Sequence, residues 1–248
     1  MTSKKISFFE PEPELYEKTF GYRDFKTQAN FLDKVFKKNK ARKILDIASG
    51  HSPQGRLLAK KGYKVSGIDL SEPLLRLGRK RAKDENAKIK FYKKDMANFN
   101  LGKFDAAYIM FNSILHLNSQ NKLKSHFKSV SRNLRKGGIY VIDLSQSPFK
   151  NPFQKHRINR KIDRIRSVIT YTPLNKKELT AEFQTETYYK GKKYADKFKV
   201  LMFLPLKTLD DIAAKSGFEI VNIYSDFKFK KVNGNNAIKY VAILRRVK

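Results

Sequence analysis

The chain has 248 residues, 40% of them hydrophobic and 31% charged, the balance of a folded globular protein rather than a disordered one. The absence of cysteine excludes disulfides, thiolate metal sites and a thiol nucleophile. The formal net charge of +31 attracts polyanions such as RNA, DNA or acidic lipid, although lysine scattered along the whole chain equally reads as a solvated surface.

No apolar run approaches the roughly 20 residues that span a bilayer. The start, "MTSKKISFFEPEPELYEK", is basic but soon broken by acids and prolines, so a cytoplasmic location is expected. The histidines are His51, His116, His126 and His156; they form no H-x-x-x-H pair, and no metal is expected.

In chain order, residues 1–14 read as a loose arm, with Pro11 and Pro13 keeping it extended. From Tyr16 to Lys40 the apolar spacing is helical, with Phe25, Ala29, Leu32, Val35 and Phe36 on one face. Strands and helices then alternate. "KILDI" (43–47) precedes the helix "PQGRLLAKKG", and "KVSGIDL" (64–70) precedes a helix from Glu72 to Lys83, with Ser71 as N-cap and Pro73 in its first turn. "KIKFYK" (88–93) and "FDAAYIMF" (104–111) are the third and fourth strands. A helix over 120–134 and the turn "RKGG" lead to the fifth, "IYVIDL" (139–144).

The pattern then changes. Residues 163–204 are rich in Ile, Val, Thr, Tyr and Phe, with turns at "PLNKK" and "YKGKK", and predict three antiparallel strands. A capped helix in "LPLKTLDDIAAKSG" follows, then two strands joined by the turn "NGNN". The expected fold is α/β, a doubly wound, seven-stranded, mostly parallel sheet with an inserted antiparallel three-stranded flap after strand five. Residues 1–40 form an arm and helix over the site, 41–148 and 205–248 the core, and 149–204 the flap.

In open α/β sheets, ligands sit beyond the carboxyl ends of the strands near the switch point. That places residues 46–55, 69–71, 95–96 and 111–116 around one pocket. The turn after the first strand, "DIASGHSPQG", fails the G-x-G-x-x-G pattern that lets a pyrophosphate approach backbone, and Asp46 at its start would repel one. A cationic amine suits it better. Asp69 closes the second strand where a carboxylate accepts from ribose hydroxyls. Asp95 follows the third, where it could accept from an adenine amino group while Met96 covers the ring. Amine, ribose and adenine together describe S-adenosylmethionine. A nicotinamide enzyme, the competing reading, would need the missing glycines.

"LDIASG", "GIDLS", "KKDM" and "LRKGGIY" occur in the order in which class I S-adenosylmethionine-dependent methyltransferases carry their motifs. The chain resembles that family over about residues 16–145. The departure lies in "SGHSPQ", where Ser52 stands in place of the family's third glycine. The resemblance implies cofactor contacts from Asp46, Ala48, Ser49, Gly50, His51, Asp69, Leu70, Ser71, Asp95, Met96, Phe111 and Asn112, with S-adenosylhomocysteine as product and no metal. It also implies that Tyr16, Tyr22 and Arg23 fold over the cofactor, Arg23 near its methionine carboxylate.

"YIMFNSILHL" (108–117) lacks the N-P-P-Y run of enzymes that methylate a base amino group. "FNSILHL" is similar to a stretch of small-molecule N-methyltransferases, including the amino-sugar group, as is the flap. In that group the histidine matching His116 is a candidate general base. Alignment and exclusion of water can supply most of the acceleration of methyl transfer, so a catalytic base is not required and His116 or Tyr16 then only orients the acceptor. The basic segment "FKNPFQKHRINRKIDRIR" (149–166) near the mouth also suits an anionic acceptor. It keeps an RNA methyltransferase as the alternative, although no RNA-binding module is visible. A non-catalytic scaffold retaining the fold is a third reading.

Overall fold

The computed structural model describes residues 13–145, 151–232 and 239–248. The arm before residue 13 and the "NGNN" turn lie outside the described residues. Seven strands form one sheet in the order β10-β11-β5-β4-β1-β2-β3, and four form a separate antiparallel sheet, β6-β7-β8-β9. In the first sheet β1 (Lys43–Ile47), β2 (Lys64–Asp69), β3 (Ile89–Lys93), β4 (Phe104–Ile109) and β5 (Leu134–Ser145) run parallel. β10 (Phe218–Tyr224) and β11 (Lys239–Arg246) close the β5 edge in antiparallel pairs.

The central strands are buried on both faces, which is why they read as unbroken apolar runs. Alternation sorts them: Leu45, Ile47, Ala107 and Ile109 join one core layer, under α5 (Gln120–Asn133) and α6 (Leu206–Lys215). Ile44, Ala106 and Tyr108 join the other, under α2 (Phe25–Lys38) and α3 (Pro53–Lys60), where Phe31, Leu32, Phe36 and Leu58 are buried. The His126 ring is wholly buried in the first layer. Its Nδ1 donates to the Met96 carbonyl at 2.8 Å and its Nε2 accepts from the Tyr140 hydroxyl at 2.7 Å. Burial pushes its pKa down to about 4, so the neutral ring fixes the turn that carries Met96.

Four expectations are corrected. The single helix over 16–40 is two, α1 (Pro13–Phe20) and α2, broken at Gly21 and restarted by Asp24, whose carboxylate accepts from the Thr27 N–H at 2.8 Å. Pro13 opens α1 rather than keeping the chain extended. The flap holds the three expected strands, β7 (Ile165–Asn175), β8 (Thr180–Tyr189) and β9 (Lys192–Leu201), and a fourth, β6 (His156–Ile162), inside the basic segment. β6 pairs only with β7, and its Arg157, Arg160 and Lys161 suit an edge strand, where charge discourages pairing with other chains. Finally, α6 starts at Pro205 without a side-chain cap, because proline offers none.

Helix α1 joins flap to core. Leu15, Ile165 and Tyr194 form a small buried cluster, with Tyr16 and Phe20 packed against it. On the core side Glu17 meets Arg81 of α4 (Glu72–Asp84) at 2.5 Å, and lies 3.8 Å from His51. Leu15→Ala should remove about 2–4 kcal/mol from this local attachment. Amide exchange measured by mass spectrometry should then show α1 opening faster while β1, β4 and β5 keep their protection.

Candidate functional site

The chain order reverses between β1 and β4, which lie side by side although β2 and β3 come between them in sequence. Such a reversal leaves a crevice beyond the carboxyl ends of the strands. A cavity of about 370 Å³ lies there. The structure brings Tyr16, Asp46, Ala48, Ser49, Gly50, His51, Asp69, Leu70, Ser71, Met96, Phe111 and His116 to its walls.

The loop after β1 is built on left-handed backbone. Ala48, Gly50 and Ser52 have φ of 52°, 52° and 53°. Asp46, 3% exposed, accepts from the Ser52 hydroxyl at 2.6 Å. This bond explains Gly55: a Cβ there would stand 2.1 Å from Ser52 Oγ and 3.3 Å from Asp46 Oδ2. The glycine that the motif lacks at 52 has its counterpart three positions later, where space rather than backbone freedom demands it. Burial pushes the Asp46 carboxyl up to about 7, against the Ser52 bond and with help from the Asp69 charge.

Asp69 is occupied on both oxygens. It accepts from the Gly50 N–H at 2.8 Å and the Ser71 N–H at 2.9 Å, so it ties the first loop to the second. Burial raises its pKa and the backbone bonds oppose the rise. Each oxygen keeps lone-pair capacity toward the cavity. Tyr16 overhangs from α1, its phenol pushed up to about 12 mainly by burial. Beside it the His51 ring, 4% exposed, is pushed down to about 4, by burial first and then by the Arg56 charge.

Opposite lies the turn after β4. Phe111 and Asn112 are left-handed, with φ of 61° and 58°, and precede the 3₁₀ turn Ser113–Leu117 that carries His116. The His116 imidazole is exposed through the cavity and lies 5.1 Å, centroid to centroid, from Phe198 of β9. The protein atoms crowding it disfavour the cation and lower its pKa, leaving a neutral ring at pH 7.

Four expected residues lie elsewhere. Asp95 is exposed and turned back to accept from the Ala97 N–H at 2.7 Å, leaving Met96 and Lys94 on the wall. Tyr22, Arg23 and Asn112 line a neighbouring cavity of about 430 Å³, which shares Phe111 with the first. Among residues not foreseen, Phe198 closes the wall from the flap. Gln54, within the expected stretch 46–55, also lines it, its amide donating to Gln28 of α2 at 2.7 Å. Asp143 is the second residue not foreseen: its Oδ2 accepts from the Phe111 N–H at 3.0 Å. A signal for Asp143 existed, since it interrupts "YVIDL" as Asp46 interrupts "ILDI". Among the described residues no group of three or more His, Asp or Glu comes together, and no helix is long and apolar enough to cross a membrane.

The sheet order with a cavity at the switch point defines the class I methyltransferase fold. Residues 44–138 match the family model described as a methyltransferase domain. A putative methyltransferase of Bacillus subtilis, YqeM, is 36% identical over 107 residues, 42% of this chain and 43% of that protein. A Streptomyces venezuelae protein is 32% identical over 104 residues, 42% of each; it is a dTDP-3-amino-3,4,6-trideoxy-alpha-D-glucopyranose N,N-dimethyltransferase. The matched stretches thus span less than half the length of these curated relatives. The crystal structure of an S-adenosylmethionine-dependent methyltransferase from Clostridium acetobutylicum superposes with a TM-score of 0.83 at 18% identity, over 95% of this chain and 97% of that one. The fold is that of the class I methyltransferases, and residues 44–138 form a methyltransferase domain.

The raised Asp46 pKa has a consequence for the ligand-free protein. The folded state holds a proton on Asp46 up to about pH 7, and the unfolded chain releases it near pH 4. Between those values the folded state binds more protons, so stability falls as pH rises. Asp46→Asn can still accept from Ser52 but does not titrate. Urea unfolding between pH 4.5 and 8 should therefore show a shallower fall for the variant, by about 1.4 kcal/mol for each pH unit of the removed shift.

Proposed function

We propose that this chain transfers a methyl group from S-adenosylmethionine to the nitrogen of a small-molecule acceptor. The observation that carries the reading is the Asp69 carboxylate, held between the Gly50 and Ser71 N–H groups on the wall of a cavity at the switch point. These residues fit an adenosyl ligand: Asp69 would accept from the ribose hydroxyls, Ile68, Leu74 and Met96 would flank the base, and the acidic Asp46 side favours a cationic amino group. Lys94, beside Met96, leaves room for a ring edge but offers a donor rather than the acceptor expected at Asp95.

When bound, the cofactor would supply an electrophilic methyl group on a sulfonium, the acceptor nitrogen's lone pair forming the new C–N bond as the C–S pair returns to sulfur. The chain's own residues align and dehydrate. Tyr16, Phe111 and Phe198 exclude water, and a dry site strengthens every polar contact within it. Neutral His116 can take the proton released from the acceptor nitrogen on a ring nitrogen, while the Tyr16 phenol, kept protonated, can orient the acceptor.

In this reading residues 1–40 and 149–204 are covers, and 41–148 with 205–248 the binding core. The N-methylating Streptomyces relative supports a small acceptor. So do Tyr16 of α1 and Phe198 of β9 on the cavity wall, since a nucleic-acid base would have to enter flipped from a strand lying on an open surface. The basic β6 edge does not argue strongly for RNA, because Arg160 already donates to the Tyr22 hydroxyl at 2.9 Å.

Asp69→Ala should weaken S-adenosylhomocysteine binding by about 2–4 kcal/mol, two bonds to a charged acceptor being lost. Calorimetry returning wild-type affinity would move the ribose elsewhere. His116→Ala should lower kcat by roughly 10²-fold with near-normal cofactor affinity if the ring is a base. An unchanged rate and pH profile would make it a wall residue only.

A further inference from the structure

The end of the sheet opposite the candidate site holds a groove of about 1050 Å³. It is lined by the starts of β1, β2 and β3, by the last residues of α3 and by one face of α4. Lys64 at the start of β2 and Asp69 at its end stand about 16 Å apart, at a rise of about 3.3 Å per residue. The groove is therefore well separated from the cavity that Asp69 lines.

Its walls carry seven cations. Lys60 comes from α3, Arg79 and Lys83 from α4, and Lys43, Lys64, Lys88 and Lys90 from the strand starts. Glu85 is the single acid among them, and it is already held by Lys60 at 2.9 Å and by Arg56 at 3.0 Å. Glu72, outside the groove, holds Arg79 at 2.7 Å. The other five lysines pair with no acid among the described residues. A chain-wide excess of lysine does not account for this. The sequence has 54 basic residues to 23 acidic ones, little more than two to one, whereas the groove stands at seven to one. Cations gathered on one concave surface raise the local potential that draws a polyanion.

The walls select among polyanions. Protein interfaces are poor in lysine and are anchored by accessible aromatic or arginine side chains. Here the one aromatic, Tyr63, is 8% exposed and its hydroxyl donates to Asp33 at 2.8 Å. A membrane surface takes up apolar side chains beside the charges. The exposed large hydrophobics among the described residues, Tyr22, Leu70, Ile158 and Leu174, all lie outside the groove. Lysine ammoniums are point charges that suit phosphates strung along a backbone. A concave groove with cations from both α3 and α4 admits one strand rather than the convex side of a duplex. Ser66 and Asn86 on the same lining can exchange hydrogen bonds with the 2′-hydroxyls that distinguish RNA from DNA.

We propose that this groove binds the backbone of single-stranded RNA, indifferent to sequence because no ring is exposed for bases to stack on. The RNA is a ligand held away from the methyl-transfer cavity, and the proposal stands whether or not the acceptor there is a small molecule.

The test uses the full chain and the fluorescence anisotropy of a labelled oligouridylate. The deoxythymidine counterpart, polyglutamate, and vesicles of phosphatidylserine with phosphatidylcholine are the competing probes. One triple variant carries Lys64→Gln, Lys83→Gln and Lys88→Gln. The control carries Lys122→Gln, Lys124→Gln and Lys128→Gln on α5, where the lysines are also exposed. Both lose the same charge, and both should keep the wild-type melting temperature. The groove variant should bind oligouridylate tenfold or more weakly at about 50 mM salt, and its log–log salt slope should be shallower by about 2, at roughly 0.7 per lost phosphate contact. The control should stay close to wild type. In the wild type, bound RNA should shield Lys64, Lys83 and Lys88 from chemical acetylation and leave Lys122, Lys124 and Lys128 reactive, a readout that needs no variant.

No RNA binding at low salt, equal loss in both variants, or no shielding in the groove overturns the proposal, the last two leaving only the diffuse field of the chain. Tighter groove-dependent binding of polyglutamate or of vesicles than of RNA overturns it in favour of a protein or a membrane. Equally tight binding of the deoxythymidine strand overturns the choice of RNA and supports a groove for nucleic-acid backbone of either kind.

Discussion

Three buried carboxylates, each holding a residue whose backbone is left-handed, organise the whole ligand-binding end of the sheet. Asp46 accepts from the side chain of Ser52, Asp69 from the N–H of Gly50, and Asp143 from the N–H of Phe111. The φ angles of the three held residues are 53°, 52° and 61°. For a residue with a Cβ this conformation costs of order 1–3 kcal/mol. A hydrogen bond to a charged group returns about 1.5–3 kcal/mol. The two terms are of one size, so Asp46 and Asp143 roughly offset the strain at Ser52 and Phe111, while Gly50 adopts its φ without that cost. The loops stay open without rigid secondary structure of their own.

The arrangement sets a second cost. All three acids are raised in pKa by burial, so without a ligand the folded state favours taking up protons there. A ligand presenting donors or positive charge restores the ionised forms, and its binding energy is spent partly on that restoration. This is the physical sense in which the end of the sheet is preorganised: polar groups were desolvated during folding and wait for donors. A site of exposed carboxylates would bind a cationic ligand more weakly, because water would screen each contact.

The sheet was legible because every central strand is apolar on both faces and ends in a recognisable turn. "KILDI" coincides with β1, and Ser71 caps α4 as its position suggested. Asp46 and Asp69 were legible because an acid inside a buried strand is rarely accidental. Asp143 carried the same signal, but its partner Phe111 is distant in sequence and belongs to another strand's turn. Asp95 stands off the cavity wall for the opposite reason. A carboxylate two residues before a free N–H closes a local turn more readily than it reaches a ligand, and Ala97 supplies that N–H. The break between α1 and α2 was hidden because helical apolar spacing continues across Gly21 and Asp24. β6 was hidden because an edge strand needs charge, which erases the alternation that marks a strand.

What no local reading could reach is the roof. Phe198 enters the wall only because β9 pairs with β8 in a sheet outside the core, and the flap is held over the site by α1. Tyr16 and Leu15 are neighbours on that helix with divided tasks, Tyr16 lining the cavity and Leu15 buried against Ile165 and Tyr194. One turn of helix thus couples cover to flap, so a shift of either displaces the other. The core side of that turn is Glu17, whose carboxyl burial alone would raise. Arg81, with His51 and Arg56, reverses the effect and holds it below its usual range. An ion pair only partly screened by solvent is a reversible fastening rather than a weld. Apolar packing and a Lys18–Tyr189 hydrogen bond join α1 to the flap, and the Glu17–Arg81 pair with the Tyr16–His51 ring contact joins it to the core. A small ligand can enter under α1 and the flap as they move together, while the loops pinned by the three acids stay in place.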